Sequence, residues 1–146
     1  MEPKKIAEEL VALVDLTEPQ FRSLTDQETG QAAGGKWSKK QILGHLIDSA
    51  ANNHQRFIRL QLTAELNLPG YEQEGWVRAN AYSTRPWSDL VTLWSAYNRH
   101  LSHVIAHIDP EHLDNAWITQ SGSHDLGFLV SDYLLHLKHH VEQIFG

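Results

Sequence analysis

The chain has 146 residues, no cysteine, and 12 Lys plus Arg against 18 Asp plus Glu, a formal charge of −6. This length suits one core, no apolar run reaches the span of a bilayer, and the acidic balance opposes a phosphate-neutralising nucleic-acid surface. Without cysteine, disulfides, thiol nucleophiles and thiolate metal sites are excluded, so any tightly held metal must use His, Asp or Glu.

Residues 1–146 are expected to form a single domain. The N-terminal stretch runs into an amphipathic segment and not a signal-peptide core, so the expected location is the cytoplasm, away from membranes and nucleic acid. From Pro3 to about Leu16, the apolar residues Ile6, Leu10, Leu13 and Val14 recur at helical spacing. Pro19 is expected to interrupt or kink this run, with helix resuming as far as Leu24, because proline removes a backbone donor. Thr29 to Lys36, with three glycines, reads as a loop.

Ser38 followed by Gln41 forms a capping-box signature, and Trp37 before it is placed to staple onto Ile42. The second helix is expected to run to about Leu66. Pro69-Gly70 then marks a turn into an irregular, aromatic-rich connection with one short helix. Pro86 opens a third long helix, which Asp109-Pro110 closes. A second linker, Glu111 to His124, shows no alternating strand pattern. A fourth helix from about Asp125 to Phe145, capped by Ser123, buries Leu126, Val130, Leu134, Leu137, Val141 and Ile144. Four amphipathic helices predict an all-α, antiparallel four-helix bundle whose long connections wall a cleft.

The ten histidines are many for this length. His136 and His140 lie four apart, so both imidazoles project from one side of the fourth helix, bordering its apolar stripe. Such a pair chelates but leaves a site unfinished, and imidazole suits zinc, nickel or iron. His45 is the best third ligand: with Asp48 or Ser49, Asn52 and Arg56 it forms a polar stripe on the second helix, either a solvated face or the wall of a water-filled cleft. His103 and His107, with His100 before them, form a rival set on the third helix, pointing away from its apolar side.

These residues resemble the DinB-like superfamily, in particular its YfiT-type metal-dependent hydrolases and bacillithiol transferases. The likeness rests on Trp37-Ser38, the run from Gly44 to Asn53, Arg56-Phe57, Leu68 to Glu72 with Trp76, and the run from Asp132 to His140, covering nearly the whole chain. It implies an antiparallel four-helix bundle with a long connection after the second helix. It also implies one divalent metal per chain, nickel or zinc, held by His45, His136 and His140, and a homodimer.

Three protein nitrogens leave a coordination position open for water or substrate, as catalytic sites do. The expected function is therefore a metal-dependent hydrolase of a small amide or ester. Asp48 is the candidate for orienting the water or holding a ligand imidazole, Arg56 for receiving a substrate carboxylate, and Asn52 for donating to it. The alternatives are transfer of a low-molecular-weight thiol, of the bacillithiol type, and a noncatalytic metal- or ligand-binding stress-response module. Tyr71, Glu74 and Trp76 are candidate pocket residues for each.

Overall fold

A computed structural model describes residues 2–32 and 34–146. Four long helices dominate: α1 (Pro3–Arg22), α3 (Lys39–Leu62), α5 (Trp87–Ala106) and α6 (Leu126–Phe145). Two short ones, α2 (Asp26–Gly30) and α4 (Gln73–Ala79), lie in the connections. Three short strands, β1 (Glu65–Asn67), β2 (Ala116–Thr119) and β3 (Gly122–Asp125), and two single 3-10 turns, Tyr82–Thr84 and Pro110–His112, lie between the helices. No helix among the described residues is long and apolar enough to cross a membrane.

Around the bundle the long helices follow the order α1, α5, α3, α6, each packing on its two neighbours. Ala7 accepts from Ser102 and Asp15 from Arg99, so α1 and α5 run antiparallel. The His45–His140 and Phe57–Tyr133 ring contacts make α3 and α6 antiparallel too. The other two contacts join helices of like direction: Phe21 stacks on Phe145 where α1 and α6 end. Asp26 ties the start of α3, through Lys40, to the start of α5, through the Trp87 backbone N–H. Parallel neighbours cannot be joined by a tight turn. The chain leaving α3, which is 24 residues and so roughly 36 Å long, must travel back along it before α5 begins. This is the physical reason for the long aromatic connection after α3.

Four expectations need correction. Helix α1 is continuous through Pro19; its last turns are held by Glu18, which accepts from Ser95, Arg22 and Arg99, and by Phe21, buried between Trp87 and Trp94. That packing offsets the roughly 3 kcal/mol cost of an interior proline. Helix α3 stops at Leu62, and Leu66 lies in β1. The second linker holds a hairpin: β2 pairs antiparallel with β3 and parallel with β1, giving the order β1-β2-β3. Strands of three and four residues are too short to show an alternating pattern. Because α6 begins at Leu126, Ser123 lies two residues before the capping position, and the cap falls to Asp125, the last residue of β3, whose carboxylate accepts from the Phe128 N–H at 2.8 Å. The Ser38–Gln41 capping box is present as expected.

The apolar stripes meet in one core. Leu10, Val14, Leu43, Phe57, Trp94, Leu101 and Val130 are fully buried in it. The small sheet closes one end of the bundle: Asn115 donates to the Leu60 carbonyl at the C-terminus of α3, and the Trp117 indole N–H donates to Leu68 O at 2.7 Å.

Candidate metal centre and cleft

A cleft of about 210 Å³ lies between α3 and α6, roofed by the 71–73 segment and the hairpin. His45, His136 and His140 all line it, as do Ser49, Asn53 and Arg56 from α3. At about 100° per residue, His45, Ser49, Asn53 and Arg56 span roughly 80° of the helix surface. Asn52 and Asp48 lie outside that arc.

The sequence-derived site therefore divides. His45 is buried and its ring stands 4.8 Å from that of His140. Two imidazoles bound to one ion at about 2.1 Å hold their ring centroids roughly 5 Å apart. The His136 and His140 rings are 6.4 Å apart, and Nε2 of the exposed His136 faces Asp132 Oδ2 at 3.6 Å. As positioned, no three His, Asp or Glu side chains among the described residues form a ready coordination group. The chemistry of the donor set nevertheless fits a transition metal. Nδ1 of His45 is buried without a hydrogen-bond partner. His140 engages Gln143 Oε1 through Nδ1 at 2.9 Å, which leaves Nε2 available. Burial, reinforced by the charges of His140 and His136, pushes His45 down to about 4, and burial also lowers His140. Both are thus neutral near pH 7, the form that binds metal.

Asp48 is buried on a different side of α3, against α4 and the 82–84 turn. Its Oδ1 accepts from the Tyr82 hydroxyl at 2.6 Å and from Asn80 at 3.0 Å, its Oδ2 has no partner, and it makes no hydrogen bond to His45. Burial raises it to about 6, against the opposing effect of the Tyr82 hydrogen bond. Asn52 turns back to donate to the Asp48 carbonyl of its own helix, and Asn53 occupies the cleft wall instead.

Arg56 is buried in the cleft wall, with its guanidinium carbon 4.0 Å from the centre of the Trp117 ring. It makes one long hydrogen bond, from Nη1 to Asn53 Oδ1 at 3.4 Å, and its Nε has no partner. A desolvated cation–π contact contributes about 2 kcal/mol, less than the several kcal/mol that removing a charge from water costs. Tyr71 lines the cleft as expected, whereas Trp76 and Glu74 lie outside it. Trp117, His124, Phe128 and Asp132 were not foreseen as cleft residues. Asp132 alone carried a signal, standing four positions before His136. The rival histidines sit exposed outside this cleft, His100 and His103 on α5 and His107 at its C-terminal cap.

Two proteins of Oceanobacillus iheyensis, each named a putative metal-dependent hydrolase, are similar to this chain. One is 26% identical over 125 residues, covering 84% of this chain and 71% of the relative. The other is 26% identical over 119 residues, covering 80% and 67%. Among solved structures, YfiT from Bacillus subtilis, described as a probable metal-dependent hydrolase with an unusual four-helix bundle topology, superposes with a TM-score of 0.78. That match covers 95% of this chain and 83% of YfiT at 18% identity, and it shows a common fold. The DinB superfamily matches residues 9–144, from the middle of α1 almost to the end of α6, and the chain belongs to that superfamily.

Proposed function

We propose that the chain is a metal-dependent hydrolase of a small amide or ester, with one divalent ion held by His45, His136 and His140. The observation that carries this reading is the convergence of imidazoles from two helices on one cleft, with the His45 and His140 rings 4.8 Å apart. The names of the Oceanobacillus relatives support it. An imidazole set suits nickel and zinc among other transition metals, and these two are the ions that the family resemblance implies.

When bound, such an ion makes water a nucleophile near neutral pH and polarises a carbonyl. The chain supplies the rest. Burial keeps His45 unprotonated, and the Gln143 contact fixes which nitrogen His140 presents. Asp132, within 3.6 Å of His136, is the nearest carboxylate able to orient that ring or to accept a proton at Oδ2. The geometry favours it over Asp48, which is committed to Tyr82 and Asn80. Trp117, Phe128 and the Tyr71 ring restrict water in the cleft to a small volume.

Metal analysis of purified protein should find about one ion per chain, as one open catalytic site requires. His45→Ala, His136→Ala and His140→Ala should each strongly reduce it. Full occupancy in all three variants would refute the site. The metal-loaded protein should turn over members of an ester and amide panel; turnover confined to mixtures of a low-molecular-weight thiol and an electrophile would replace hydrolysis with thiol transfer, and none in either panel would favour a binding module.

A further inference from the structure

Arg56 is 7% exposed, and no carboxylate among the described residues forms an ion pair with it. By contrast, the arginines that do form ion pairs, Arg22, Arg85 and Arg99, lie at the surface opposite Asp or Glu. One face of the Arg56 guanidinium is covered by Trp117, Nη1 reaches only a neutral amide, and Nη2 makes no hydrogen bond to a described residue. A cation buried in this way is incomplete: its charge and its donors lack the anion that would compensate them. Asp132 lines the same cleft, but its Oδ2 faces His136.

The cleft that contains Arg56 also contains the three histidines, and on α3 Arg56 lies roughly 16 Å along the helix axis from His45. We propose that the Arg56–Trp117 end of the cleft is an anion subsite, which receives a carboxylate carried by the substrate while the bond to be cleaved lies at the histidine end. This names the substrate class for the hydrolase reading above, and it rests on that reading for the identity of the other end. The planar guanidinium edge matches a carboxylate, and Trp117 holds that plane. The cleft volume of about 210 Å³ restricts the ligand to a small molecule.

The test uses the metal-stripped 146-residue chain titrated with sodium butyrate and, separately, with butyramide, which has the same carbon skeleton and no charge. Calorimetry reads the affinity, and the indole N–H resonance of Trp117 reads the location. Butyrate should bind about tenfold or more tightly than butyramide and shift that resonance; Arg56→Gln should lose the preference, since a hydrogen bond to a charged group has this magnitude. Equal affinities, no measurable binding of butyrate, or an unchanged preference in a folded Arg56→Gln protein would each overturn the subsite. If the variant does not fold, the wild-type pair decides alone. Butyrate binding only after nickel is restored would place the anion on the metal, ending this proposal and leaving the hydrolase reading intact. Arg56-dependent butyrate binding by a protein that takes up no metal would do the reverse.

Discussion

Asp48 is a carboxyl group enclosed by α3, α4 and the turn that carries Tyr82, with one oxygen bonded and the other without a partner. Its ordinary value of 3.8 is raised to about 6 by burial. Below pH 4 the group is protonated whether the chain is folded or not; between 4 and 6 the unfolded chain releases the proton first, so folding stability falls as the pH rises through this window. His45 acts in the opposite sense, because its depressed value makes protonation below 6.5 favour the unfolded chain. Asp48→Asn isolates the carboxyl contribution, since Asn keeps an acceptor for Tyr82 and does not titrate. The stability of this variant relative to wild type should grow from pH 4 to pH 6 by at most about 3 kcal/mol, then level off. Urea unfolding of the metal-free proteins across that range measures it, and a pH-independent difference would show that Asp48 titrates normally.

At the level of elements, α3 does two jobs on two faces. One face carries His45, Ser49, Asn53 and Arg56 into the cleft. The adjoining face carries Gly44 against Tyr82, so closely that a Cβ at position 44 would fall 2.1 Å from a ring carbon. The missing side chain lets the Tyr82 ring lie on the helix and reach Asp48 one turn further on. Gly44→Ala gains about 1 kcal/mol of helix propensity but forces the ring outward, an overpacking cost of about 1–3 kcal/mol together with the strained Tyr82–Asp48 bond. Net destabilisation is therefore expected in urea or thermal unfolding; a variant as stable as wild type would mean that Tyr82 moves aside freely. Gly44 stood in the family-like run of the sequence, but nothing local to the helix showed what approached it.

For the whole molecule, the important feature is that the proposed ligands, His45 on α3 and His136 and His140 on α6, lie more than half of the chain apart in sequence, on helices that meet as antiparallel neighbours. An ion bridging them binds the folded state in preference to the unfolded one, so it must stabilise that state, by an amount that grows with the logarithm of its concentration. Nickel or zinc at a hundred times its dissociation constant should add about 2.7 kcal/mol. The thermal midpoint of wild type should rise accordingly, chelator should reverse the rise, and His45→Ala should abolish it. An equal shift in His45→Ala would locate the ion elsewhere, with the exposed His103–His107 pair at the C-terminal end of α5 the first place to look.

Much of this protein is written locally. Helical periodicity, the Ser38–Gln41 cap and the Pro86 start depend on residues within a few positions of one another, and His136 and His140 share a face simply because a helix turns every 3.6 residues. The side of α3 that faces α6 is a different matter. A rotation of a few tens of degrees exchanges Asn52 for Asn53 and turns Asp48 away toward Tyr82, and that angle is set by packing against distant helices. The same holds for Pro19, kept helical by contacts with α5, and for the short hairpin whose Trp117 comes to lie on Arg56. Long-range packing energy, which no window of neighbouring residues contains, decided those features.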